Sequence, residues 1–215
     1  MILKIIIIII LVFSVAYIFF KRKQNKQLAY IKDYKFHPTL EQKIKIKYPH
    51  LKAEEITLVF DALRDYFRFC NQAKTQMVAM PSQVVDMAWH EFILLTRAYE
   101  NFSHKAIGRF LHHTPTEAMT TPTLAQNGIK RTWRLACANE QINPSSPSQL
   151  PLLFAIDAKL NIDDGFIYSL NCQSSLGSGD SYCAGHIGCA SGCGGTSDSG
   201  GGSDCGGGGG CGGGD

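Results

Sequence analysis

The chain begins with an unbroken apolar block. Residues 5–20 are apolar except for Ser14 and Tyr17, and residues 1–3 extend the block beyond Lys4. A helix of twenty residues is roughly 30 Å long, which matches the hydrocarbon core of a bilayer. The block runs directly into basic residues, without the small-residue cleavage site that follows the core of a signal peptide. We therefore predict an uncleaved, single transmembrane helix over residues 1–22.

From Pro38 onward, apolar positions recur at steps of three and four, which is the period of an amphipathic helix. Residues 53–70 show it most clearly, with seven apolar side chains on one face. The same pattern, with proline and capping residues at its ends, predicts further helices over residues 38–47, 82–99, 102–111, 129–139 and 152–160. Alternating Phe166, Tyr168 and Leu170 indicate a strand within residues 161–172. The expected fold class is all-α, with a small helical-bundle domain over residues 38–172.

Charge is distributed unevenly along the chain. The formal net charge is +3, but residues 21–52 contain ten Lys or Arg against two acidic residues, and no Lys or Arg follows Lys159. Basic residues beside a membrane helix favour the cytoplasmic side. Residues 23–37 therefore form a basic juxtamembrane linker, which places the bulk of the chain in the cytoplasm beneath the inner (plasma) membrane. These charges either hold the domain against anionic lipid or only set the topology.

Residues 173–215 form a tail of different composition. Eighteen of its 43 residues are glycine, and large apolar side chains are scarce. Such a sequence buries too little apolar surface to offset the entropy lost when a backbone is ordered. We predict disorder in this Gly/Cys-rich tail beyond Gly194.

The tail contains one group of residues with metal-like spacing, formed by Cys183, His186, Cys189 and Cys193. The spacing matches the bacterial iron–sulfur run with histidine in place of its second cysteine. Three thiolates and an imidazole would also hold zinc. The alternative is low-complexity sequence without a metal, because many cysteine clusters in glycine-rich segments bind nothing.

A second candidate site lies between residues 80 and 115. Asp86 and His90 are four residues apart, which places both on one face of a predicted helix. Together with His112 or His113 they would form a two-histidine, one-carboxylate set that binds zinc or iron and leaves coordination positions open. Without a metal, Asp86 would orient His90 as a general base. The structural alternative is that Asp86 pairs locally and His90 packs beside Trp89.

Other catalytic motifs are missing from the sequence. Leu94 stands where the zinc-protease pattern His-Glu-x2-His requires its second histidine. The chain also lacks a phosphate loop, a Gly-x-Ser-x-Gly elbow and a dinucleotide fingerprint. Cys70 and Cys137, which lie on predicted helices, are expected to be core residues as readily as nucleophiles.

The segments VDMAWHEFILLTRAYENF and GRFLHHTP resemble uncharacterised bacterial membrane proteins of the glycine-rich domain-containing type. They are more distantly similar to the plant glycine-rich domain proteins. The resemblance covers about residues 38–193, and its most specific parts are MPSQVVDMAWHEF, GRFLHHTP, LPLLFAIDAKL and the Cys-Gly tail. It implies an anchored, largely helical domain with a glycine-rich end, and it implies no particular activity.

Two classes of function fit these features. In the first, the chain is a membrane-anchored binding or scaffold protein whose domain holds a metal and whose tail engages a protein partner. In the second, it is a metal-dependent, hydrolase-like enzyme that uses Asp86, His90 and His112 or His113. A minor third class is a tail whose cysteines are converted to heterocycles by modifying enzymes. No nucleic-acid partner is expected.

Overall fold

The computed structural model describes residues 2–113, 122–170, 181–183 and Ile187. These residues form seven helices and one small sheet in which β1 and β2 are parallel. The elements in chain order are α1 (Ile2–Lys32), α2 (Pro38–Lys47), α3 (Ala53–Ala73), α4 (Gln83–Leu94), α5 (Thr96–Ala106), α6 (Pro122–Asn139), α7 (Leu152–Lys159), β1 (Ile167–Ser169) and β2 (Ser181–Cys183). The expectation of a mostly helical chain that starts with an apolar helix is confirmed. The predicted disorder beyond Gly194 lies outside the described residues.

The chain bends where one continuous helix was predicted over residues 82–99. Leu95 has φ −80° and ψ 59°, which is outside the helical region, so α4 ends at Leu94 and α5 starts at Thr96. Of the helix predicted over residues 102–111, only residues 102–106 are helical, as the last part of α5, and Gly108 beyond it has φ +85°. The apolar pattern did not reveal either helix end, because apolar residues continue at helical spacing across both Leu95 and Gly108. The bend allows the Trp89 indole nitrogen to donate to the Tyr99 hydroxyl at 3.1 Å.

The first part of α1 is apolar and exposed on all sides. The large apolar side chains between residues 5 and 20 are each about half exposed or more. Burying this surface in lipid is strongly favourable, because transfer from water contributes roughly 25 cal/mol for every Å² of apolar surface. The helix is long and apolar enough to cross a membrane.

The second part of α1 packs on the domain. Residues 23–32 of the predicted linker are helical, and Ile31 is only 1% exposed. Gln24 donates a side-chain hydrogen bond to Asn71 of α3 at 3.3 Å, and Asn71 donates to Gln27 at 3.0 Å. Asn71 also donates to the Ala106 carbonyl of α5 at 2.8 Å. This buried amide joins α1, α3 and α5.

A cluster of aromatic side chains forms the centre of the domain. Phe67 of α3 and Phe102 of α5 have ring centroids 4.7 Å apart, and Tyr34, which follows α1, lies 4.5 Å from Phe102. Phe92 of α4 contacts Tyr34, Phe67 and Phe102 at 5.3 to 6.2 Å. Such offset and edge-to-face pairs add to the free energy of burial. The cluster fixes α4, the helix that carries Asp86 and His90, against α3 and α5.

A buried carboxylate joins α7 to the start of α4. Asp157 is 2% exposed and accepts hydrogen bonds from the Ser82 hydroxyl at 2.7 Å and the backbone N–H of Gln83 at 2.7 Å. It also accepts from the N–H of Val84 at 3.3 Å and that of Phe166 at 2.9 Å. The first N–H groups of a helix have no partner within the helix, and a negative charge there is favoured by the helix dipole. Asp157 therefore determines where α4 begins.

The backbone approaches Asp157 closely on its other side. A Cβ atom added at Gly165 would lie 2.7 Å from the Asp157 Cβ and 2.9 Å from the Ile162 carbonyl oxygen. Only glycine leaves room for this turn, which presents the Phe166 N–H to the carboxylate.

Replacing Asp157 tests this junction. Asp157→Ala removes the acceptor of four hydrogen bonds and leaves buried donors without a partner, so the free energy of unfolding should fall by roughly 3 kcal/mol or more. The measurement is thermal and denaturant unfolding of the full chain in detergent, followed by circular dichroism. Asp163→Ala, which removes an exposed carboxylate six residues away, is the control and should change stability little. Equal stability of the two variants would contradict the assignment.

Candidate metal centre

Three side chains with metal-binding atoms meet beside the N-terminal half of α4. Asp86 and His90 lie one turn apart on the helix, and His113 comes from the segment after α5. The His113 Nε2 atom lies 3.0 Å from Asp86 Oδ1, and the His90 Nδ1 atom lies 3.2 Å from Asp86 Oδ2. The two imidazole centroids are 4.2 Å apart. One ligand atom from each of the three residues lies within 4.8 Å of the others.

The spacing of these atoms fits a small divalent ion. Two ligands at about 2.0–2.1 Å from a tetrahedral zinc lie about 3.4 Å from each other. The distance of 3.0 Å from Asp86 Oδ1 to His113 Nε2 is close to this value, and a ligand atom of His90 lies within 4.8 Å of both residues. Three protein ligands would leave at least one coordination position for water or another molecule.

The backbone of α4 orients His90. Its Nδ1 atom lies 2.8 Å from the Asp86 carbonyl oxygen, which can only accept a hydrogen bond. In this contact Nδ1 carries the hydrogen and Nε2 keeps the lone pair that a metal would use. An N–H to a backbone carbonyl is the common way in which proteins orient a ligating imidazole.

Two buried aromatic residues position His113. Its ring packs edge-on against Trp89 with centroids 4.5 Å apart. Trp89 donates to the Tyr99 hydroxyl, which in turn donates to the carbonyl of Leu111, two residues before His113. Burial raises the pKa of Tyr99 to about 12, so the hydroxyl keeps its hydrogen at neutral pH. The sequence did not predict this role of Trp89 and Tyr99.

His112 and His113 lie in different environments. His113 is in the cluster with a side chain that is 13% exposed, whereas the His112 ring packs against Phe110 at 4.9 Å. Among the described residues, His112 is not part of the three-residue group that could hold a metal. The structure thus brings together Asp86, His90 and His113 of the four predicted residues, and His112 lines the adjoining cavity.

The cluster forms part of the wall of a cavity of about 610 Å³. Small-molecule sites are commonly of this size. Most of the wall comes from the end of α3, the segment that follows it, α4 and the segment after α5. Arg109 is part of the wall and was not among the predicted site residues. The lining residues include Cys70, Thr75, Gln76, Met77, Met80, Gln83, Arg109, Leu111 and Phe166.

The predicted tail site cannot be compared with the structure. His186, Cys189 and Cys193 lie outside the described residues, and of Cys183 only the backbone is described, in β2 beside Ser169. The metal assignment in the tail therefore stays a prediction.

Two cysteines of the described part of the domain lie in the core. Cys70 and Cys137 are buried free thiols. Burial raises the pKa of the Cys70 thiol to about 12 and that of Cys137 to about 11. Since the thiolate is the nucleophile, both residues are unreactive at neutral pH.

Thiol labelling tests this environment. In the folded chain at pH 8.5, iodoacetamide should alkylate Cys70 and Cys137 roughly a hundredfold or more slowly than in denaturant, because folding suppresses the thiolate. Mapping of labelled peptides by mass spectrometry gives both rates for the same residue. The raised pKa values also predict that the two thiols contribute to the stability of the fold below about pH 8.5. This contribution is lost as the pH rises toward the pKa values of the thiols in the folded state. Equal labelling in both states would show that the thiols are accessible.

A comparison with protein families identifies a match over most of the domain. A family model described as UCP032817-like matches residues 26–187, which include the docked end of α1, the Asp86, His90 and His113 cluster, and Asp157. No curated protein and no solved structure matches the chain.

Proposed function

The chain belongs to the UCP032817-like family, and from this premise we propose that it is a membrane-anchored protein whose helical domain binds one divalent metal ion. Asp86, His90 and His113 would hold the ion, which we expect to be zinc or iron. The single observation that carries the proposal is the convergence of these three side chains on one point in the wall of a cavity.

A purely structural role for the three residues is the competing explanation. In a metal-free protein, the Asp86 carboxylate would accept hydrogen bonds from both imidazoles, and the contacts at 3.0 and 3.2 Å would be satisfied. Two features favour the metal. The two imidazoles lie side by side, which is unfavourable when both are protonated but normal when both bind one cation. The cluster also faces a cavity, whereas a structural ion pair needs no open space beside it.

Membrane anchoring through α1 is part of the proposal. The exposed apolar first part of α1 and the basic residues that follow it support a single-pass anchor with the domain on the cytoplasmic side of the inner membrane. A cleaved signal sequence is the alternative. The unbroken helical backbone from Ile2 through Lys32 supports retention, because α1 passes directly from its apolar part into the part that packs on the domain.

The proposed role is binding, either of a ligand in the cavity or of a partner. The glycine- and cysteine-rich tail would engage a protein partner, and the resemblance to glycine-rich domain proteins stays a prediction. An enzymatic role is the second candidate, because a three-ligand metal with an open position beside a cavity can activate water for hydrolysis. Hydrolysis of an ester by the metal-loaded chain, absent after metal removal, would favour the enzyme.

Elemental analysis of two histidine variants tests the metal site. His113→Ala removes one of three protein ligands and should cost the full chain one equivalent of metal. His112→Ala changes the neighbouring histidine, which is outside the cluster, and this variant should retain the metal. The loss of affinity should exceed the 10–100-fold that follows removal of a mere hydrogen-bonding partner of a ligand. A separate variant with Cys183, Cys189 and Cys193 changed to serine accounts for metal in the tail. Equal metal content in the two histidine variants would contradict the proposed metal site.

Protease protection tests the anchor and its orientation. In spheroplasts, a tag at the C-terminus should resist external protease and become sensitive when the membrane is permeabilised, because the basic flank of α1 favours the cytoplasmic side. Mass spectrometry of the mature chain should find the apolar block still attached. A chain shortened near Phe20, or a tag that is cleaved in intact spheroplasts, contradicts the proposed topology.

A further inference from the structure

We propose that the cavity beside the metal ligands binds the phosphate headgroup of an anionic phospholipid from the leaflet that α1 enters. This inference rests on the proposed membrane anchor and metal site and names a ligand class for them. It is based on three observations: the position of the cavity relative to α1, the charges around it, and the chemistry of its wall.

The cavity lies at the end of the domain next to the membrane part of α1. Gln24 and Gln27 of α1 are hydrogen-bonded to Asn71. Asn71 directly follows Cys70, which is part of the cavity wall. The apolar block ends at residue 20, so Gln24 is about 6 Å further along the helix axis. The headgroup layer on each side of a bilayer is about 5–7 Å thick. The first contact between α1 and the domain is therefore at the depth of the lipid phosphates.

The direction of α3 places part of the cavity wall still closer to the bilayer. Arg64, in the middle of α3, donates a hydrogen bond to the carbonyl of Tyr34, which follows the end of α1. Asn71, near the end of α3, is hydrogen-bonded to Gln24 and Gln27, which come earlier in α1. The two helices are thus antiparallel, and the chain beyond Asn71 continues toward the membrane. Thr75 and Gln76 of the wall are in this exposed segment.

Positive charge is concentrated at this end of the domain. Residues 21–28, 70–78 and 103–113 contain no Asp or Glu. The same three segments contain seven cationic residues, which are Lys21, Arg22, Lys23, Lys26, Lys74, Lys105 and Arg109. Basic residues near an anionic membrane surface are attracted to its lipids. The end of the domain that faces the bilayer therefore attracts anionic headgroups.

The cavity wall has groups for both parts of a phospholipid. The Arg109 guanidinium donates to the carbonyls of Lys74 at 2.8 Å and Phe110 at 3.3 Å, which leaves further N–H donors for a phosphate. The open position of a metal on Asp86, His90 and His113 would take a phosphate oxygen. Met77, Met80 and Leu111 supply apolar surface to the wall, which suits the glycerol and the first methylene groups.

Native mass spectrometry of lipid binding tests the inference. The full chain, purified in non-ionic detergent with its metal, is mixed with equal amounts of dioleoyl-phosphatidylglycerol and dioleoyl-phosphatidylcholine. Gln76→Glu places a negative charge at the wall through an exposed side chain, and Gln42→Glu makes the same change at an exposed residue of α2. We expect one phosphatidylglycerol to bind in preference, with roughly tenfold weaker affinity in Gln76→Glu and wild-type affinity in Gln42→Glu.

A second pair of variants and a second ligand complete the test. Arg109→Gln should weaken binding like Gln76→Glu, whereas Arg97→Gln on the exposed surface of α5 should not. Inorganic phosphate at the same concentration should compete only weakly, because it lacks the glycerol and acyl contacts. Complete displacement by inorganic phosphate would assign the cavity to a soluble anion and overturn the lipid proposal. Equal binding in Gln76→Glu and Gln42→Glu would also overturn it. Metal content measured in the same samples separates this failure from failure of the metal site.

Discussion

The hydrogen bonds to the Asp157 carboxylate are the contact on which the arrangement of the site depends. They join the first N–H groups of α4, the Ser82 hydroxyl and the turn at Phe166 to one buried acceptor on α7. Asp86 is in the first turn of α4 and His90 is one turn later, so the residue at which the helix begins fixes the position of both along the helix axis. The aromatic contacts of Phe92 then fix the rotation of the helix. The helix that carries Asp86 and His90 is thereby positioned from both of its ends, and the ring of His113 packs against Trp89 of the same helix.

The regular part of this structure was accessible from the sequence. Helical periodicity located α2, α3 and α7 to within a few residues, and the four-residue spacing of Asp86 and His90 placed both on one face. The sequence could not distinguish His113 from His112. That choice depends on the hydrogen bond from Tyr99 to the Leu111 carbonyl, which forms only because the chain bends at Leu95.

Polar contacts over long sequence distances were the main features that the sequence did not reveal. Gln24 and Gln27 stand in a basic segment typical of a solvated linker, and Asn71 is a polar residue near the end of an apolar helix face. Their mutual hydrogen bonds show that α1 packs on the domain. Asp157 likewise occurs in an apolar segment, and its four donors are 9 to 75 residues away. Local patterns contain no information about such partners, because each side chain by itself resembles an ordinary surface residue.

The continuity of α1 has a mechanical consequence. The helix that would be held by lipid tails is continuous with the part of α1 that is hydrogen-bonded to Asn71, because α1 is unbroken from Ile2 to Lys32. A transmembrane helix tilts when the thickness of the bilayer around it changes. Here a change of tilt would be transmitted to the domain as a rigid rotation, which would move the wall formed by Thr75 and Gln76 toward or away from the bilayer surface. Bilayer thickness would then control how easily a ligand enters the protein.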